Sequence, residues 1–301
     1  MSETSFRGVF PPIPTPFDED GELALDKLVE NIDRWNKFDL SGYVVLGSNG
    51  EAVLVSREEK AAVWGAAREA IPEGKLMIAG AGCQSTRETI ALSCQAAEAG
   101  ADAVLLVTPD YYDGQMTAEA LIQHYTAVAD NVPVPVLLYS VPKFTHVDID
   151  TATVAKLAEH PNIAGIKDTG GSVAKMADIV HQANPDFQLL AGSASFLLGG
   201  LVVGAVGGIL ALANISAVNC LGIFHLYQAG RIDEAAALQR RMVPVNAAVT
   251  AHWGIPGLKA AMEMLGYYGG PVRSPLRDLD EEARQALREV LVAGGLLAAD
   301  E

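Results

Sequence analysis

Lys167 ends a run of small and apolar residues, Ile163-Ala164-Gly165-Ile166, and so carries an amine out of what reads as a buried strand. Lysine is seldom buried without a reason. Burial penalises an ammonium ion, and a neutral amine is a nucleophile for carbonyl carbon, so the chemistry on offer is imine formation with a ketone. The competing readings are an ion pair with the adjacent Asp168 and a side chain that snorkels to solvent. Tyr139 ends a second apolar run, Val136-Leu137-Leu138. A phenol there can pass a proton to and from a carbinolamine or hydroxyl oxygen, with the Ser48 hydroxyl and the Tyr111 phenol relaying it towards solvent.

Gly47-Ser48-Asn49-Gly50 offers backbone N–H groups, a hydroxyl and an amide, which suits a carboxylate; it lacks the lysine of a phosphate-binding loop and also reads as an ordinary strand-to-helix turn. Gly192-Ser193 and Ile209 close two further apolar runs and are candidates to complete a pocket for a small ligand. The six histidines show no HxxH or HExxH spacing and no acidic cluster reads as a divalent-metal site, so neither a metal nor another cofactor is expected.

For these side chains to meet, the elements that carry them must end on one face. A short apolar run, a turn and a segment with helical spacing recur about eight times along the 301 residues. The expected strands are Gly8–Ile13, Gly42–Leu46, Leu76–Ala79, Ala103–Val107, Val136–Tyr139, Ile163–Lys167, Phe187–Ala191 and Gly207–Leu210. Capping residues followed by acids mark helix starts at Ser56, Ser85 and Thr117. The count of eight favours a (β/α)8 TIM barrel over a doubly wound open sheet, and a barrel gathers its catalytic groups at the C-terminal ends of its strands. Residues 1–230 then form the barrel with the active site. Residues 231–301 read as a helical C-terminal extension, with helices over Arg231–Ala251, Ile255–Leu265 and Leu279–Ala293.

Half the residues are apolar and 6% aromatic, as expected of buried parallel strands under small-residue helices. A formal net charge of −16 excludes nucleic acid and an anionic membrane surface as partners, since either needs a basic footprint. Cys83, Cys94 and Cys220 form neither a disulfide framework nor CxxC spacing. The first residues carry no apolar signal core, and the longest apolar stretch, Phe196 to Ile215, is broken by five glycines. A cytoplasmic protein is expected.

Taken together the motifs resemble the dihydrodipicolinate synthase and N-acetylneuraminate lyase family of pyruvate-handling class I aldolases, nearly end to end. The family's Gly-Thr-Thr-Gly-Glu loop has its counterpart in Gly47-Ser48-Asn49-Gly50-Glu51, its strand-five tyrosine in Tyr139, its Schiff-base lysine in Lys167 and its interface tyrosine in Tyr111. The 4-hydroxy-2-oxoglutarate aldolase branch is most similar, sharing Gly-Ser-Asn-Gly-Glu and Tyr-Ser-Val-Pro, with further likeness along HPNIAGIKDTGG, LLAGSASFL and GIPGLK. The resemblance implies a relay of Ser48, Tyr139 and Tyr111, a pyruvyl carboxylate held by Asn49 and the Ser48 and Asn49 amides, and a homotetramer built from tight dimers. The synthase branch binds its aldehyde's carboxylate with an arginine shortly after this tyrosine motif, but Phe144 stands there, in Lys143-Phe144-Thr145. Lys143 and Thr169 are candidates for that second carboxylate. The expected reaction is cleavage of 4-hydroxy-2-oxoglutarate; a synthase using aspartate semialdehyde, a sugar-acid lyase and a non-catalytic metabolite-binding barrel are the alternatives.

Overall fold

The computed structural model describes residues 4–298. Eight runs of mainly aliphatic residues and glycine form parallel strands: β1 (Gly8–Phe10), β2 (Gly42–Val45), β3 (Leu76–Gly80), β4 (Ala103–Val107), β5 (Val136–Ser140), β6 (Ile163–Asp168), β7 (Gln188–Ala191) and β8 (Gly207–Ile209). They run in sequential order around the sheet, with β8 beside β1. The remaining seam closes through Val44 N–H to Pro11 O, 3.0 Å, and Ile13 N–H to Val44 O, 2.9 Å. The result is a (β/α)8 barrel. The first strand is shorter than the sequence suggests, because Pro11 and Pro12 have no N–H to continue a ladder.

Helices α1 (Leu25–Trp35), α2 (Arg57–Ala70), α3 (Thr86–Glu98), α4 (Ala118–Ala129), α5 (Pro142–Thr145), α6 (Thr151–Leu157), α7 (Val173–Gln182), α8 (Leu197–Val202) and α9 (Ala213–Gln228) follow the strands. Ser56, Ser85 and Thr117 each accept a first-turn N–H as N-caps, as their spacing predicts, and Ser56 with Glu59 completes a capping box. On α1 the buried Leu28, Ile32 and Trp35 recur at helical spacing and face the sheet, each burial being worth about 2 kcal/mol. The strands are apolar on both faces: Phe10, Val44, Ile78, Leu105, Leu137 and Ile209 fill the barrel interior, while Val9, Tyr43, Val45 and Leu138 pack outwards under the helices.

Beyond the barrel lie α10 (Ile232–Ala247), α11 (Gly254–Met264) and α12 (Glu281–Ala293). The sequence reads 231–251 as one helix; α10 instead ends at Ala247, and a π-helical turn, Ala248–His252, follows it. Trp253 N–H reaches back five residues to Ala248 O, and Gly254, at φ +59°, redirects the chain into α11. Among the described residues no helix is long and apolar enough to cross a membrane.

Candidate active site

Lys167 and Tyr139 are register partners on β6 and β5. Which face Lys167 uses is decided by an irregularity. The pairing steps from Val136↔Ile163 directly to Leu137↔Gly165, so Ala164 is an extra residue that reverses the inward–outward alternation for the rest of β6. Gly165 and Lys167 therefore face inwards beside Leu137 and Tyr139. A side chain at Gly165 would put its Cβ 2.2 Å from Gln188 O, so only glycine fits there. Asp168, on the opposite face, is fully buried and paired with Lys175 at 3.1 Å, which removes the reading in which it neutralises Lys167.

The Lys167 amine lies 4.0 Å from the centroid of the Tyr139 ring, and both residues are no more than 5% exposed. The Tyr139 hydroxyl is 3.3 Å from Ser48 Oγ, with either atom able to donate. An imine-forming amine and a phenol–hydroxyl pair thus share one buried corner, where a proton can move from a reacting oxygen to Tyr139 and on to Ser48.

Ser48 is held by a strained turn. Leu46 and Glu51, on either side of it, have φ of 60° and 54°, left-handed values that cost a non-glycine residue about 1 kcal/mol or more. The turn persists because it is tied down: Thr15 Oγ1 donates to Gly50 O at 2.7 Å, and the Glu51 carboxylate, fully buried, meets Lys259 of α11 at 2.6 Å. Arg273 N–H donates to the same carboxylate at 2.8 Å, and Lys259 donates to Pro271 O at 2.8 Å. Burial pulls Lys259 below the ordinary lysine range while Glu51 pulls it back up.

Lys167, Tyr139, Ser48, Asn49, Thr169 and Gly192 all line one cavity of about 260 Å³ at the C-terminal end of the barrel. Asn49 is half-buried, its amide 3.5 Å from Pro12 O. The Thr169 hydroxyl donates to Ser140 O at 2.8 Å. Gly192 donates its N–H to Asp168 O at 2.7 Å, and a Cβ there would lie 2.6 Å from that oxygen. Two expected members stand elsewhere. Ile209 is fully buried in the barrel interior and outside the cavity lining, while Ala211, two residues on, lines the wall after β8. Tyr111 is 78% exposed, edge-on to Tyr112 at 4.9 Å between ring centroids, and outside the cavity lining.

The cavity's other wall comes from the C-terminal segment, through Asn246, Thr250, Ala251 and Ile255. Asn246 is buried and its amide donates to Ser193 Oγ at 3.0 Å and Ser195 Oγ at 2.8 Å. The sequence reading missed Asn246, Ser195 and Thr250; an amide beside Val245 on the buried side of a helix was the available signal. A second cavity of about 730 Å³ reaches the Ser48–Tyr139 pair from the side of Gly82, Gln84 and Asp110. Among the described residues no group of three or more His, Cys, Asp or Glu side chains is arranged to hold a metal ion, and the three cysteines are unpaired.

A lysine amine at the end of the sixth strand of such a barrel, with a phenol beside it, defines a class I aldolase or lyase. The model of the dihydrodipicolinate synthetase family matches residues 5–293, and the chain belongs to that family, whose members are pyruvate-dependent lyases and aldolases. It is 35% identical over 293 residues to a 4-hydroxy-tetrahydrodipicolinate synthase of Methanoculleus marisnigri, covering 96% of this chain and 100% of the other. It is 36% identical over 287 residues to an Emericella nidulans protein named as a probable mitochondrial 4-hydroxy-2-oxoglutarate aldolase, covering 94% and 93%. Among solved structures, the chloride-inhibited dihydrodipicolinate synthase of Acinetobacter baumannii in complex with pyruvate superposes with a TM-score of 0.93 at 31% identity, over 97% and 100% of the two chains.

Proposed function

We propose that the protein cleaves 4-hydroxy-2-oxoglutarate to pyruvate and glyoxylate, reversibly, through an imine on Lys167. The observation that carries this reading is the Lys167–Tyr139–Ser48 corner, with the amine 4.0 Å from the phenol ring and the phenol 3.3 Å from the hydroxyl. Lys167 adds to the C2 ketone and water leaves as the imine forms. The protonated imine then accepts the electron pair of the C3–C4 bond as Tyr139 takes the C4 hydroxyl proton. Glyoxylate departs, the enamine is protonated at C3, and water releases pyruvate from Lys167. Ser48 and Asn49 hold the pyruvyl carboxylate with side-chain and backbone donors.

The choice of glyoxylate rests on the Gly-Ser-Asn-Gly-Glu and Tyr-Ser-Val-Pro motifs, on Phe144 in place of the synthase arginine, and on the Emericella relative. The second reading, a synthase condensing pyruvate with aspartate semialdehyde, is favoured by the Methanoculleus relative. Pyruvate release from 4-hydroxy-2-oxoglutarate, measured beside pyruvate consumption with aspartate semialdehyde, separates the two: turnover of the first substrate alone is expected, and turnover of the second alone overturns the proposal.

The assembly we infer is a homotetramer, a dimer of dimers, in which Tyr111 completes the relay of a neighbouring subunit. Its support is the exposure of Val53 (94%), Tyr111 and Tyr112, apolar or aromatic side chains near the larger cavity that leads to Ser48 and Tyr139.

A further inference from the structure

We propose that Lys143 binds the carboxylate of the aldehyde partner and thereby sets a preference for aldehydes that carry an acid; the proposal rests on the reading that Lys167 holds the pyruvyl imine. The chain has 37 acidic residues against 21 lysines and arginines, yet among the described residues that line the 260 Å³ cavity there is no Asp or Glu and there are two lysines. A strongly acidic protein that keeps acids out of one cavity and places two lysines in it has built a site for anions. A dianion of the size of a five-carbon diacid needs a counter-charge at each end. Lys167 supplies the first, as the iminium beside the pyruvyl carboxylate.

Lys143 has the placement for the second. It stands in α5, a single turn fixed at the end of β5 by Phe144 N–H to Val141 O, 2.9 Å, and His146 N–H to Pro142 O, 3.0 Å, so its backbone does not have to move. Its amine donates to Thr250 O at 3.2 Å, which draws the side chain from the β5 wall towards the π-helical turn on the opposite wall. That bond uses one of three N–H donors, and a neutral carbonyl is a weaker partner for an ammonium than a carboxylate is. Thr169, the other candidate, has committed its proton to Ser140 O and offers only lone pairs, which a carboxylate repels. Ser193 and Ser195 accept from Asn246, so their own hydroxyl protons remain to orient the bound acid.

The test compares aldehydes matched in length, glyoxylate with glycolaldehyde and succinate semialdehyde with butanal, as partners for pyruvate in wild type, Lys143→Met and Lys143→Arg. Wild type should favour the acid of each pair. Lys143→Met should lose about tenfold or more in kcat/KM on the acids, mainly through KM, with the neutral aldehydes unchanged and Lys143→Arg restoring most of the loss. Borohydride trapping of pyruvate on Lys167 should be equal in all three proteins. Equal losses on acid and neutral aldehydes, no loss at all, or a wild type without acid preference overturns the role of Lys143. Absence of the trapped adduct overturns the imine reading instead.

Discussion

Tyr139 is the residue on which both halves of the proposed imine cycle converge. Its ring covers the Lys167 amine at 4.0 Å, while its hydroxyl meets Ser48 at 3.3 Å, so one phenol can serve water loss at C2 and proton removal at the C4 oxygen. Tyr139→Phe should lower kcat by about 10²-fold or more, measured as pyruvate release, while pyruvate is still trapped on Lys167 at long incubation. On the proposed relay, in which Tyr139 and Ser48 act as one unit, adding Ser48→Ala to Tyr139→Phe should cost little further, a non-additivity that a double-mutant cycle reads directly. Lys167 and Tyr139 stand out in the sequence because strand ends are few and each closes an apolar run, and Ser48 because it sits in the polar turn just past one. Asn246 and Thr250 are harder to read: an amide on the apolar side of a helix hints at burial, but the sequence does not say that a cavity lies against it. Ile209 and Ala211 lie two residues apart at the end of the eighth unit, and the sequence does not say where the filled barrel interior stops and the open cavity begins.

The elements owe their placing of these groups to two local devices. One is the extra residue Ala164, which turns Lys167 inwards; it escapes a sequence reading because the alternation of β6 is masked by small residues, and only pairing with β5 reveals the shift. The other is the buried Glu51–Lys259 pair, which fastens the Ser48 turn to α11 across 208 positions of chain. Lys259→Met leaves a buried carboxylate without its cation and should lower unfolding free energy by about 3 kcal/mol in denaturant titrations. Glu51→Leu combined with Lys259→Met should recover part of that stability, but not kcat, because the Ser48 turn stays untied. A third contact links the outer helices: His124 of α4 is buried against Thr86 of α3, with Nδ1 2.9 Å from the hydroxyl, and burial pulls its pKa down to about 4. The unfolded chain, with an ordinary value near 6.5, takes up that proton first. Stability is therefore unaffected above pH about 6.5 and declines as pH falls towards about 4, by roughly 3 kcal/mol in all. A His124→Gln variant should flatten that part of the stability–pH curve.

At the scale of the whole molecule, eight repeats of strand and helix made the barrel legible. Its closing seam was less so, since Pro11 and Pro12 leave β1 and β2 joined by isolated hydrogen bonds instead of a ladder. The C-terminal segment read as an appendage, yet it contributes one wall of the cavity, a long-range contact that local periodicity does not encode. The inferred donation of Tyr111 between subunits makes a specific prediction. Lys167→Ala and Tyr111→Phe proteins, each weakly active or inactive alone, should regain activity when unfolded and refolded together, because a hybrid dimer holds one site with an intact lysine and an intact donated tyrosine. A mixture no more active than the sum of its parts would place Tyr111 outside the relay. The central claim, that catalysis runs through an imine on Lys167, is tested most directly by borohydride reduction in the presence of pyruvate followed by peptide mass mapping. A stable pyruvyl adduct on Lys167 is expected, with inactivation in proportion to labelling and no adduct in Lys167→Ala; an unmodified Lys167, or full activity in Lys167→Ala, would contradict the account.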